Sequence, residues 1–294
     1  MTDLFFSIII PMYNSELWIE KCLHSVQVQS YANFEILVIN DGSKDSSRQI
    51  VQNIAKNDLR IRLIDKENGG YCSAINCGLD NLSKKSDYFL LLGSDDTLLP
   101  GALESLADCS SNNNYPDIVG FKTSILDEKG NIKIDNVTNS IDSVIYEKQI
   151  NINNFLEKYK EASRILCQRD TSKIYKTGLL KSQRYFGKYG IDADGIFAML
   201  FCQKCLSFLL TPIIGYNWFV RTDSVSQKGS SLRVNKDRLK NWKLFLKHTD
   251  AANKIFVRLG KKMVRKIRIY ILFSPVLALF FKVRRVRRNK RKEN

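Results

Sequence analysis

The sequence predicts an α/β fold in which a mostly parallel, Rossmann-like sheet carries helices on both faces. Two observations predict it. Apolar runs of strand length alternate with segments of helical spacing for about a hundred residues, and short clusters of Asn, Asp, Gly and Ser punctuate them. A third observation, a change of texture after Ala107, predicts a smaller mixed lobe packed on the same sheet.

The elements follow in order. Phe5 to Ile10 reads as a buried strand that stops at Pro11, because proline has no ladder donor. After the loop Met12 to Ser15, Ser15 is expected to cap a helix whose apolar residues are Leu17, Trp18, Cys22 and Val26. Phe34 to Ile39 is the second strand, and the turn Asn40-Asp41-Gly42-Ser43-Lys44-Asp45 opens a helix near Ser46 to Lys56. Ile61 to Ile64 makes a third strand, and Asn68-Gly69-Gly70 breaks the chain before a helix containing Ala74, Ile75 and Leu79. Tyr88 to Leu92 is a fourth buried strand that runs straight into Gly93-Ser94-Asp95-Asp96. Beyond it, Asp108 to Asn114 reads as a polar loop, Asp117 to Ser124 as a strand, and Asp127 to Asn131 as a hairpin turn. From about Asn151 the pattern is helical, with Phe155, Leu156 and Tyr159 on one side. The expected divisions are residues 1–120, 121–252 and 253–294.

Of the 294 residues, 44% are apolar and 26% charged, which suits a globular chain with a full core. The net charge of +16 is unusual. From Lys254 onward, 15 Lys and Arg face the single Glu293, so the basic character belongs to the tail. Met1-Thr2-Asp3 is no basic n-region and Leu4 to Met12 is strand-like, so no signal peptide is expected. Seven scattered cysteines then fit buried thiols in a reducing cytoplasm. With only His24 and His248 available, the lone pair Cys202 and Cys205 reads as helix packing rather than a zinc site.

In the tail, Ile269 to Phe281 is too short to cross a bilayer and is flanked by cations on both sides. It is expected to lie on an anionic leaflet, which would make the protein peripheral on the inner face of the cell membrane. A nucleic-acid-binding or basic disordered end is the other reading, and no recognition motif accompanies the charge.

Open α/β sheets bind ligands at the carboxyl ends of their strands. Asp95 and Asp96 stand at such an end, and paired carboxylate oxygens suit a hard divalent cation carrying a phosphate. Alternatively they cap the helix that Pro100 and Gly101 introduce. The loops Pro11 to Asn14, Asn40 to Ser43, and Gly93 to Asp96 would share one crevice.

Four segments in register carry a resemblance. They are Ile10-Pro11-Met12-Tyr13-Asn14, Val38 to Asp45, Asn68-Gly69-Gly70 with Asn76 and Gly78, and Ser94-Asp95-Asp96 followed by Pro100. Their order and spacing resemble the inverting family 2 glycosyltransferases of the GT-A fold. The resemblance implies a nucleotide-sugar donor, expected to be a UDP-sugar, and a saccharide acceptor, expected to be lipid-linked. It makes residues 1–120 the donor lobe and 121–252 the acceptor and catalytic-base lobe. Asp41 would accept a hydrogen bond from uracil N3–H, although it could also cap the following helix. Pro11 and Tyr13 would shape the base and ribose pocket, with Tyr13 a core aromatic as the alternative. Asn14, Asn68, Gly70, Asn76 and Ser94 would line the donor site, and Mg²⁺ or Mn²⁺ would sit on Asp95 with Asp96 beside it.

The segment Tyr189 to Phe197 resembles the family's Glu-Asp-x-x-Phe, with Ala193 in the Glu place. That match makes Asp194 the catalytic base and Asp192 its understudy, though either could cap the helix Gly195 to Cys205. Tyr216 to Ser226 matches the family's aromatic strand and basic loop, so Arg221 or Lys228 would clamp phosphate, or each is a surface charge. The chain departs from the family at Gly93, where an Asp is usual, and at Ile75, where an Arg is common. The rival readings are a nucleotidyltransferase, which would want a Gly-rich triphosphate loop that Pro11 to Asn14 is not, and a noncatalytic membrane-bound scaffold.

Overall fold

In the computed structural model, residues 3–136, 141–148, 154, 157, 170–181, 183–187, 192–221, 232–269 and 271 are described. In chain order the strands are β1 (Phe6–Met12), β2 (Phe34–Asn40), β3 (Ile61–Asp65), β4 (Tyr88–Leu91), β5 (Thr97–Leu98), β6 (Ile118–Asp127), β7 (Ile132–Ile134), β8 (Ile145–Lys148), β9 (Lys173–Lys176) and β10 (Ser207–Val220). The helices are α1 (Ile19–Gln27), α2 (Ser47–Ala55), α3 (Tyr71–Asp80), α4 (Ala102–Asn112), α5 (Ala193–Cys202) and α6 (Leu232–His248), and residues 254–269 form a further helix.

All ten strands among the described residues join one sheet. Its main path is β3-β2-β1-β4-β9-β6-β10-β5, with β7 on β6 and β8 on β10. The first four are parallel, while β9 runs antiparallel between β4 and β6. Strand alternation splits the core between the two faces. Ile9, Leu37 and Phe89 pack under α3, α5 and α6, whereas Ile8, Ile10, Val38 and Leu90 pack under α1, α2 and α4. Each such fully buried side chain stabilises the fold by about 1.5–3 kcal/mol relative to exposure.

Three expectations are corrected. β1 does not stop at Pro11 but runs to Met12, paired Pro11↔Ile39 and Met12↔Asn40. Pairing with β4 ends at Ile9↔Leu91, and by strand parity the Pro11 nitrogen faces that finished side, so no ladder bond is lost. Helix α1 is capped neither by a Ser15 hydroxyl nor built on Leu17, which is 77% exposed; its buried face is Ile19, Cys22, Leu23 and Val26. The polar stretch after Ala107 is helical to Asn112, because Leu103, Leu106, Ala107 and Ser110 form one buried stripe. The helical reading near Asn151 falls almost wholly outside the described residues.

Strand β10 is irregular between Leu210 and Tyr216, where Pro212 and Gly215 lie. Such a bulge re-aims the residues beyond it. Here it sends Tyr216 and Phe219 toward the end of β4, as described next.

Candidate functional site

At the ends of β1 and β2 the two loops are stitched together. The Asp41 N–H donates to the Met12 carbonyl at 2.9 Å, the Asn14 N–H to Ser43 Oγ at 3.1 Å, and the Lys44 N–H to Asn14 Oδ1 at 2.8 Å. Asn14 takes a left-handed φ of 50°, which asparagine tolerates. Asp41 is buried, and its carboxylate accepts from Lys66 Nζ at 2.6 Å and from the backbone N–H groups of Gly69 at 2.9 Å and Gly70 at 2.8 Å. Asn68 Nδ2 donates to the Asp41 carbonyl at 2.9 Å. Asp41 therefore caps nothing on α2; it anchors the Asn68-Gly69-Gly70 turn that opens α3. Pro11 is buried, and Tyr13 in the same loop is 47% exposed.

Asn76 lies elsewhere in its bonding. Its side-chain amide holds the Tyr185 backbone in both directions, Nδ2 to the carbonyl at 3.0 Å and Oδ1 from the N–H at 2.8 Å. Ile75 is a fully buried core residue.

The turn after β4 separates the two adjacent aspartates. Ser94 Oγ meets Ser15 Oγ at 2.7 Å, tying this turn to the β1 loop. Asp95, with 24% of its side chain exposed, pairs with Arg221 at 2.9 Å, and the Arg221 guanidinium lies 3.9 Å over the Trp18 ring. Asp96 is buried, with one oxygen held by the Tyr216 hydroxyl and the other by the Phe219 N–H at 2.7 Å. Burial and then the Asp95 charge raise its carboxyl to about 7. Both oxygens of Asp96 are thus engaged inside the protein, while Asp95, the other member of the metal pair expected from the sequence, keeps a partly exposed carboxylate. Neither aspartate caps a helix: β5 follows them, and α4 is capped at Gly101. Gly93 is explained by the same packing. A Cβ there would lie 2.4 Å from Asp96 Oδ2 and 3.2 Å from Asp95 Oδ1. An aspartate at that position requires Asp96 to move.

For a divalent cation, Asp95 supplies one accessible hard oxygen donor that already gathers positive charge. Among the described residues no group of three or more His, Cys, Asp or Glu is placed to hold an ion. One carboxylate completed by substrate phosphate oxygens and water is an arrangement that Mg²⁺ accepts, so the donor set fits.

The second lobe brings Asp194 into the first turn of α5. Burial and then the charge of Asp170 raise its carboxyl to about 7, and Lys173 opposes that rise. Asp170 is buried and takes a hydrogen bond from the Tyr185 hydroxyl. Asp192 is committed elsewhere, to Arg238 and to the Trp242 indole N–H. Tyr71, at the start of α3, lies within electrostatic reach of Asp170, Asp194 and Asp96 together. Its phenol is pushed up by burial first and by those charges second, although 38% of the residue faces solvent. Asp96 at the end of β4 and Asp194 at the start of α5 therefore both lie within electrostatic reach of this one side chain. Lys228 lies outside the described residues.

Sequence reasoning missed Asp170, Tyr185, Tyr216, Arg238 and Trp242. Only the i,i+4 spacing of Arg238 and Trp242 on a helical pattern offered a signal.

The comparisons with known proteins bear on the family and the fold. The chain matches the family described as Glycosyl transferase family 2 over residues 7–182. It is 32% identical over 187 residues to Glycosyltransferase GlyA of Streptococcus pneumoniae serotype 4, covering 63% of this chain and 26% of that protein. It is 37% identical over 162 residues to the minor teichoic acid biosynthesis protein GgaA of Bacillus subtilis, covering 53% and 34%. The chain thus spans 26% and 34% of the length of these two curated relatives. Its fold is that of S. aureus TarS 1–349 in complex with UDP-GlcNAc, at a TM-score of 0.68 and 20% identity, with 92% of this chain and 73% of that one covered. Because the family match takes in more than half of its residues, this α/β chain with the GT-A sheet belongs to glycosyl transferase family 2.

Proposed function

We propose that the chain transfers a hexosyl group from a UDP-sugar to a hydroxyl of a saccharide acceptor, with inversion at the anomeric carbon. One observation carries the reading: Tyr71 lies within electrostatic reach both of Asp96, next to the partly exposed Asp95, and of Asp194, whose carboxyl is raised to about 7. The UDP-GlcNAc complex of TarS supports a UDP-sugar as the donor class.

In this reading Asp41 and the Asn14 and Asn68 turns take the uracil and ribose, with Tyr13 against the base. Asp95, with Ser94 beside it, would hold Mg²⁺ or Mn²⁺, which would supply positive charge for a diphosphate leaving group. Arg221 sits on the same carboxylate and can exchange Asp95 for a phosphate oxygen when donor is bound. Asp194 accepts the proton of the acceptor hydroxyl as that oxygen bonds to the anomeric carbon, and the bond from that carbon to the diphosphate breaks to release UDP. A base with a pKa near the working pH is the efficient one.

The relation to GgaA supports an acceptor in surface polymer synthesis, and the basic C-terminal helix supports a lipid-linked one at an anionic membrane face. No helix among the described residues is long and apolar enough to cross a membrane.

Calorimetry of the full chain with UDP, in Mn²⁺ and then in chelator, tests the donor site. Binding that weakens at least tenfold without metal is expected. Heat-silent mixing in both conditions would sink the reading.

A further inference from the structure

The side chains of α6 that touch the catalytic lobe recur at intervals of three and four, so they form one face of the helix. Arg238 donates to both oxygens of Asp192, from Nε at 2.7 Å and from Nη2 at 3.2 Å, and Trp242 Nε1 donates to the same carboxylate at 2.9 Å. Asn241 is fully buried against Gly187, where φ is 91° and a Cβ would lie 2.3 Å from Asn241 Nδ2. His248 stacks on Phe186, with ring centroids 5.5 Å apart. Between them, Phe245 packs edge-on to Trp242 in the core. The same helix face therefore grips the chain just after Tyr185 and again at Asp192.

Asp192 is left-handed, with φ of 64°, a conformation that aspartate adopts more readily than most residues with a Cβ. Three side-chain N–H groups fasten its carboxylate there. Its carbonyl accepts the Ile196 N–H at 3.0 Å, starting the helix turn that holds Asp194. Resting on the assignment of Asp194 as base, we propose that Arg238 and Trp242 are positioning residues that set Asp194 against the acceptor hydroxyl through Asp192. Both lie beyond the residues that match the family. Helix α6 is thus part of the reaction apparatus.

A plain stabilising ion pair predicts lost stability with unaltered turnover in the molecules that remain folded. A positioning role predicts a split between kcat and KM. UDP release from UDP-glucose and UDP-N-acetylglucosamine would be measured for the full chain and its variants. In Arg238→Gln, kcat is expected to fall on the order of 10- to 100-fold, since small misplacements of a reacting group have that effect. KM for the donor should stay within about twofold, because Asp41 and Asp95 are not touched. The acid limb of the kcat profile should also move to higher pH. An uncompensated Asp192 charge then adds to that of Asp170 in raising Asp194, with Lys173 still opposing. Arg238→Lys should recover part of kcat, and Trp242→Phe, which keeps the ring packing and removes only the N–H, should lose roughly tenfold. Arg238→Gln combined with Asp192→Asn should lose no more than the worse single variant. Unchanged kcat in Arg238→Gln and Trp242→Phe beside an active parent would overturn the positioning role alone. Turnover retained in Asp194→Asn beside an active parent would instead overturn the assignment of Asp194 on which the role rests.

Discussion

Two carboxyls in this protein are raised to about 7, and they show how burial serves different ends. Asp96 is enclosed by Tyr216 and Phe219, and its engaged oxygens fix β10 against the β4 turn. Asp194 retains part of its surface and has Asp170 for a neighbour, so it remains able to meet a substrate. If Asp194 is the base, kcat should rise with pH through about 7 and level above it, because only the carboxylate accepts a proton. Asp194→Asn should lower kcat by roughly 10²–10⁴-fold while UDP affinity holds. The stability effect has the opposite sign. A carboxyl whose folded pKa lies above the unfolded value binds its proton more tightly in the folded state, so the fold loses stability as pH rises from about 4 through 7. Removing that charge should leave the melting temperature of Asp194→Asn equal to the parent's near pH 4 and higher at pH 8. Thermal melts at the two pH values check this, and a lower melting temperature at pH 8 would contradict the buried-charge account. Retained turnover in the same variant would take the base role away from Asp194.

At the scale of elements, local patterns foretold what local physics decides. The runs Phe34 to Ile39 and Tyr88 to Leu92 announce strands, and the Asn68-Gly69-Gly70 break announces the start of α3. The turns bearing Asp41 and Asp95 could be read because they interrupt such runs. The partners of those residues could not: Tyr216 lies 120 positions from Asp96, and Arg238 46 from Asp192, so no periodicity connects them. The end of α4 was hidden for another reason, since Asp108 and Asn112 face outward and mask the apolar stripe beneath them. Residues 253–294 are expected from the sequence to be a basic amphipathic membrane-associating tail, yet Phe256, Val264 and Ile267 sit in the core that also holds Trp242 and Phe245. Gly260 makes that contact close, since a Cβ there would lie 2.7 Å from Leu246 Cδ2 and 3.1 Å from Phe245 Cδ1. Gly260→Leu should therefore destabilise by about 1–3 kcal/mol through overpacking, against a helix-propensity gain of about 1 kcal/mol. Denaturant unfolding measures the balance, and a stabilised variant would show that the two helices do not pack as described.

For the whole molecule, the packing of that helix changes what its charge can do. Its apolar side is used internally, so residues 254–269 offer no free apolar face to a bilayer, and the stretch Ile269 to Phe281 expected to lie on the leaflet falls almost wholly outside the described residues. What faces outward is Lys254, Arg258, Lys261, Lys262, Arg265, Lys266 and Arg268, all exposed and with no acidic residue among them. Exposed Lys236, Lys240, Lys243 and Lys247 extend the cationic character along α6. A folded surface of this kind binds an anionic leaflet by electrostatics, with about 1 kcal/mol for each Lys or Arg near the surface. It would hold the crevice at the membrane face without committing the fold to the bilayer. Deleting the whole tail would confound this test, because it also removes core residues. Neutralising Lys261, Lys262 and Lys266 together to Gln leaves the core intact. Cosedimentation with vesicles rich in anionic phospholipid should then weaken by roughly 100-fold, the equivalent of about 3 kcal/mol. Binding of the parent should fall steeply as salt is raised, because exposed charges are screened within about 10 Å at 0.1 M. Binding by the triple variant equal to the parent's, or parent binding indifferent to salt, would place any membrane contact outside this face. Unchanged UDP affinity in the variant is the required control, since the donor crevice lies at the ends of β1, β2 and β4 and shares no residue with these lysines.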